Sequence, residues 1–359
     1  MKKYIILFVG IISFLPMNIK AVSTSATSAI LMDTDSNRIL YAKDINNKRS
    51  VASISKIMTA ILACEKGNLN KKITIGDEID GSYGSGIYIK KGEKLTLLDL
   101  LYGLMLRSGN DASLAIAHNV GGSVDKFVVM MNELAEEIGM KNTEFNNPNG
   151  LDEEKGNYST AYDMAILTSY AMKNKTYRKI VSTKKYTLKT NMNTYIWYNK
   201  NKLLKSYSYT TGGKTGFTKI ARRTLVTTAS KDNLNLVVVT LNDGDDFNDH
   251  KNLFEYAFEN YKNYKILNKG NIEIDDDYYS DYKLYIKDDV YYPLSADEKN
   301  SINIKYKLEK KRKLKNNLVV GKAEIYLGDK LVKEVNIYVR VKEEKLNFFD
   351  KIKRWFNDK

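Results

Sequence analysis

A single cysteine, Cys64, in 359 residues excludes an intrachain disulfide, so packing must hold the fold. Cys64 reads as a small buried hydrophobe rather than a nucleophile. Only two histidines are present, His118 and His250. They stand in no ligand spacing, and with Cys64 they assemble no zinc motif, so neither a metal nor a cofactor is expected. A nucleic-acid motif is missing too, although the formal net charge is +14. Basic and acidic residues are interleaved, and the excess fits an anionic wall or membrane surface as a neighbour. No apolar run approaches the roughly 20 residues that a spanning helix needs. The run from Tyr4 to Leu15 is shorter, follows Lys2 and Lys3, and precedes small residues at Ala21-Val22-Ser23. Residues 1–21 therefore read as a Sec-type signal peptide, cut after Ala21 or Ser23, with an uncleaved anchor as the alternative.

Hydrophobic residues make up 43% and charged residues 28%, which is a globular composition rather than a disordered one. The length suits one large domain or two ordinary ones. Residues 25–262 read as an α+β unit. Ala29–Met32 and Ile39–Ala42 form a hairpin, and a helix runs from Ser53 to Glu65 and stops near Gly67. Thr96 with Asp99 caps a buried helix that ends before Ser108, and further helices follow over Asp111–Asn119, Ser123–Ile138 and Thr160–Met172. Arg223–Ala229 and Leu234–Leu241 are antiparallel strands, and Phe247–Tyr261 is a terminal helix. Residues 267–345 read as a small all-β domain. In the tail, 346–359, Phe348, Phe349, Ile352, Trp355 and Phe356 fall on one helical face beside Lys351, Lys353 and Arg354. That pattern is an interfacial amphipathic helix, and docking on the β domain is the alternative.

The chemistry gathers around Ser53-Ile54-Ser55-Lys56. On a helix, a hydroxyl and an ammonium three residues apart share a face. Serine is a poor nucleophile until a base takes its proton, and a lysine kept neutral can be that base. Ser-x-x-Lys is weak alone, but Ser108-Gly109-Asn110 and Lys214-Thr215-Gly216 follow it in order. Ser53 is the candidate nucleophile and Lys56 the base. Lys214 and Thr215 suit a substrate carboxylate, and Gly216 lets the strand edge come close. The backbone N–H groups of Ser53 and Phe217 are the expected oxyanion donors. Ser108 can pass a proton between Lys56 and a leaving amine, and Asn110 can hold Lys56 and the substrate amide. A plain interhelical turn and a plain strand start are the bland readings of the two later triplets.

Together these motifs resemble the secreted serine D-alanyl-D-alanine carboxypeptidases, low-molecular-mass penicillin-binding proteins with a small C-terminal β domain. Ser28-Ala-Ile-Leu-Met32, Phe145-Asn-Asn-Pro-Asn-Gly-Leu-Asp152 and Tyr158-Ser-Thr-Ala161 look like connecting segments of that family. The resemblance implies a transpeptidase-like α+β fold and an acyl-enzyme on Ser53, formed from peptidoglycan stem peptides with loss of the terminal D-alanine. It also implies covalent inhibition by β-lactams and attachment to the outer face of the cytoplasmic membrane through the tail. Asn149 and Asn157 stand where the family often has histidine. A class A β-lactamase would need a deacylating glutamate, and the local candidate, Glu144, lacks the expected Glu-x-x-Leu-Asn context. An endopeptidase on cross-linked peptides and a silent wall-binding protein remain as further alternatives.

Overall fold

The computed structural model describes residues 22–152 and 155–341. The segments read as a signal peptide and an amphipathic tail lie outside the described residues. A five-stranded antiparallel sheet organises the first unit, in the order Ile39–Lys43, Ser28–Asp33, Leu234–Leu241, Arg222–Lys231, Thr210–Thr218. Early and late chain thus meet at the centre, with Leu31 opposite Val238.

Strand Leu234–Leu241 is covered on both faces, which explains its nearly unbroken apolar run. Leu236 and Val238 pack toward Leu253, Phe254 and Ala257 of helix Asp246–Asn260. Val237, Val239 and Leu241 face the larger core, which contains Ile57, Met58 and Ile61 of helix Lys56–Lys66. Fully burying each such side chain is worth about 1.5–3 kcal/mol. The Lys56–Lys66 helix is therefore enclosed in that core among other helices, and helix Ala161–Ala171 is the one that packs on the central strands.

Two further features position the site. Helix Leu97–Tyr102 starts at a complete Thr96–Asp99 capping box and runs on as a π-helical turn, Gly103–Arg107. That turn ends at Ser108, whose backbone is left-handed (φ 65°), and helix Asn110–Gly121 begins two residues later. The other concerns the expected helix from Ser53. Its first turn, Ala52–Ser55, is a 3-10 turn, and the α-helix starts at Lys56. The entry to this turn is tethered, because Val51 N donates to Asn157 O and Thr224 Oγ1 donates to Val51 O. The chain must tighten to turn in from there. Helix Lys175–Ser182, absent from the sequence reading, is short and basic, and is held by buried Tyr177, Ile180 and Val181.

A second sheet, in the order Gly270–Ile272, Lys283–Ile286, Lys330–Arg340, Leu318–Leu327, Ile302–Leu308, encloses its own core of Val320, Ile325, Ile337 and Val339. Strands Lys262–Leu267 and Val290–Leu294, which imperfect alternation hid from the sequence reading, pair with each other beside it. Arg38, at the turn of the first hairpin, joins the two units. Its guanidinium lies over the rings of Tyr261 and Tyr292 (5.4 and 5.3 Å), donates to Pro293 O and pairs with Glu298. Asn263 Nδ2 adds a bond to Asn233 O at 2.8 Å.

His250 is buried under the sheet between the hydroxyls of Thr227 and Thr240. Burial pushes its imidazole from 6.5 down to about 3. Between those values the unfolded chain binds a proton that the folded one refuses, so stability falls as pH drops below 6.5. The expected slope is about 1.4 kcal/mol per pH unit. Urea titrations at several pH values should show this component in the wild type and its loss in His250→Gln; equal slopes would mean that His250 titrates normally.

Candidate active site

Ser53 sits in the 3-10 turn, and Lys56 follows as the first α-helical residue. Lys56 is fully buried, and its Nζ has three partners. These are Ser53 Oγ at 3.0 Å, Asn110 Oδ1 at 2.7 Å and the carbonyl of Asn149. The Asn110 amide is oriented by its Nδ2, which donates to Tyr83 O at 2.6 Å, so its oxygen must face Lys56. Burial, with help from the charge of Lys200 and against that of Asp111, brings the Lys56 amine down to about 7. A neutral amine has two N–H bonds and one lone pair. Two of its partners here are carbonyl oxygens, which can only accept, so both protons go to them. The lone pair is left for the hydroxyl of Ser53, which is the orientation a base requires.

Lys214 is the second buried lysine. Its Nζ donates to Ser108 Oγ at 3.0 Å and to Thr215 O at 2.6 Å. Burial first, then the charges of Lys56 and Lys200, hold its amine well below the ordinary 10.5. Ser108 therefore meets Lys214, and no Ser108–Lys56 hydrogen bond is present among the described residues. Its left-handed backbone turns the hydroxyl into the site at the end of the π-helical turn. Strand Thr210–Thr218 passes so close to the nucleophile that a Cβ on Gly216 would lie 3.0 Å from Ser53 N. Ser53, Ser108, Thr215, Gly216 and Phe217 line one cavity of about 520 Å³. The ring of Phe217 stands at its mouth, 62% exposed.

The fold thus brings together Ser53, Lys56, Ser108, Asn110, Lys214, Thr215, Gly216 and Phe217. Cys64 is apart from them, partly buried against the helical core, and burial pushes its thiol up to about 12. Glu144 is exposed and does not line the cavity.

Sequence reasoning missed three contributors. The carbonyl of Asn149 holds both Lys56 and, at 3.4 Å, Ser53 Oγ. Its side chain instead closes its own turn by accepting from Leu151 N, so a histidine is not needed there. Asn157 likewise serves the loop, accepting from Asn146 N and Asn147 N. Asp152 ties the loop at both ends, accepting from Ser50 Oγ (2.7 Å) and from Thr218 Oγ1 at the end of the catalytic strand. Lys200 lines the cavity, with Nζ 3.2 Å from Ser85 Oγ. The turn-rich composition of 146–152 was the available signal for the first two; Lys200 carried none.

Comparison with known proteins gives a consistent result. A family model described as D-alanyl-D-alanine carboxypeptidase matches residues 16–245, and one described as penicillin-binding protein 5, C-terminal domain, matches residues 261–345. The D-alanyl-D-alanine carboxypeptidase DacF of Bacillus subtilis is 36% identical over 68% of this chain and 65% of its own length. DacA of Haemophilus influenzae is 29% identical over 92% of this chain and 88% of its own. The crystal structure of penicillin binding protein 5 from Haemophilus influenzae aligns with a TM-score of 0.75 at 28% identity, covering 88% of this chain and 97% of that one.

Gly150 sets how closely the Asn149 loop approaches the nucleophile turn. Its φ is 81°, and a Cβ there would lie 2.1 Å from Ala52 O. Gly150→Ala should cost about 1–3 kcal/mol from the backbone alone and displace the Asn149 carbonyl. A lowered melting temperature with slowed acylation by a fluorescent penicillin is expected; a variant as stable and as fast as wild type would show that the loop is not held by this contact.

Proposed function

The chain belongs to the D-alanyl-D-alanine carboxypeptidase family, and on that premise we propose that it removes the terminal D-alanine from peptidoglycan stem pentapeptides through an ester on Ser53. The observation that carries the mechanism is the Lys56 amine, whose two carbonyl partners leave its lone pair facing the Ser53 hydroxyl. The substrate's terminal carboxylate docks on Lys214 and Thr215. Its negative charge offsets the burial of Lys214, so binding favours the charged ammonium there. Ser53 Oγ then attacks the carbonyl of the penultimate D-alanine while Lys56 takes the hydroxyl proton. The N–H groups of Ser53 and Phe217 receive the oxyanion. The C–N bond breaks as the proton that Lys56 took from Ser53 passes through Ser108 to the departing amine of D-alanine, which leaves Lys56 neutral again. Water next attacks the ester, Lys56 accepts its proton, and Ser53 is restored.

β-Lactams would acylate the same serine and persist because their leaving group stays attached. An endopeptidase acting on cross-linked peptides shares every step up to the ester. The exposed Glu144 gives no support to a class A β-lactamase mechanism. The aromatic and basic pattern of residues 346–359 supports attachment to the outer face of the cytoplasmic membrane; no helix among the described residues is long and apolar enough to cross one.

Purified protein incubated with a stem pentapeptide ending in D-Ala-D-Ala should release one D-alanine and leave a tetrapeptide. Penicillin should block this release, and Ser53→Ala should lose both it and covalent penicillin labelling. Stoichiometric labelling of Ser53→Ala would remove the serine from the mechanism.

The pH dependence follows from Lys56. At one unit below its midpoint only about a tenth of the amines are neutral. Acylation by penicillin should therefore rise with pH through an inflection at about 7. A flat profile from about pH 5.5 to 8.5 would exclude Lys56 as the base.

A further inference from the structure

The walls of the catalytic cavity carry cations suited to carboxylates, namely Lys200, Lys202 and Arg223. They also carry one carboxylate, Asp246, the only acid among the lining residues. Asp246 opens helix Asp246–Asn260, and its Oδ1 accepts from Phe247 N at 2.9 Å. Its ionic partner is Arg223, but the contact is long, at 3.5 Å. The Asp246 side chain is 8% exposed and that of Arg223 57%. The carboxylate is thus nearly dry while its counter-charge is in water, a poorly compensated arrangement. Burial, opposed first by the Phe247 N–H and then by Arg223, and aided by the neighbouring Asp243, raises its carboxyl above the usual range. A buried charge that costs stability and borders a catalytic cavity is better explained by a ligand than by the fold.

We propose that Asp246 reads a side-chain ammonium on the bound peptide, making it a specificity-determining residue of this cavity. The inference rests on the carboxypeptidase reading for its substrate class. A peptide whose amino terminus is joined to the wall polymer offers cations only from its side chains, so the recognised group is the free amine of a diamino residue within the stem. Arg223, being largely exposed, can swing aside when the ammonium arrives. The cavity then matches a zwitterionic ligand, with Lys214 on its terminal carboxylate and Asp246 on its amine, and an uncharged side chain there would leave Asp246 with only its long contact to Arg223 and its bond from Phe247 N.

The test compares two synthetic pentapeptides ending in D-Ala-D-Ala, one with lysine at the third position and one with Nε-acetyl-lysine. Two quantities are read for wild type and Asp246→Asn: kcat/KM for D-alanine release, and the peptide concentration that protects Ser53 from fluorescent penicillin. Wild type should favour the free amine by about tenfold in both, the scale of one charge-assisted hydrogen bond. Asp246→Asn should bring both ratios close to one, without a lower melting temperature, since it relieves a buried charge. Equal protection by the two peptides in wild type, or a preference that survives in Asp246→Asn, would overturn the assignment. Failure of wild type to release D-alanine from either peptide would instead overturn the carboxypeptidase reading, and the protection ratio would still decide the role of Asp246.

Discussion

The burial of one lysine amine constrains the rest of this structure. Burial disfavours the charged form of Lys56, and among the described residues no carboxylate bonds it. Its three partners come from three separate places in the chain. One is the turn that carries Ser53, another is the start of the helix that follows Ser108, and the third is the loop that ends at Asp152. Each must arrive within hydrogen-bond distance for the amine to be neutral, buried and aimed. The tethers around the site serve that convergence. Asp111 collects the N–H groups of Ile87, Tyr88 and Ile89, Thr59 Oγ1 holds Pro148 O, and Asp152 clamps the loop to both flanking strands.

The second requirement is backbone proximity. The strand bearing Lys214 and the turn bearing Ser53 nearly touch, and Gly216 is the residue that permits it. Lys214 and Lys56 consequently share one enclosed space, with Lys200 near both. Three amines held this close disfavour one another's protons. A carboxylate entering the space meets a shortage of negative charge built by the fold, and its binding and the readiness of the base come from the same crowding.

Much of this was legible in the sequence where side chains carry the chemistry. The three motifs named seven of the eight residues that the fold assembles, Phe217 being read beside them, and the capping pair Thr96–Asp99 marked a real helix start. What stayed hidden acts through the backbone or through position. The Asn149 carbonyl is available from any residue type, so only the turn around it left a trace. Ser108 was read as a proton carrier between Lys56 and a leaving amine, and its bond to Lys214, on a left-handed backbone, was not foreseen. The tight first turn at Ala52–Ser55 depends on tethers to Asn157 and Thr224, more than a hundred residues away in sequence. Local periodicity could not report them. Asp246 looked like an ordinary acidic residue at a helix start, and only the cavity gives it another role.

The latch at Arg38 sets a direction for the molecule. Arg38 and Asn233, which receive the β unit, both lie on turns at one end of the central sheet. The catalytic stretch Lys214–Phe217 pairs with Arg223–Val226, toward the other end. Along Ser28–Asp33, which spans the sheet between those ends, six residues cover about 17 Å. The β unit is therefore a pedestal and the site is at its summit. The catalytic stretch thus stands off from the β unit by roughly the length of that strand.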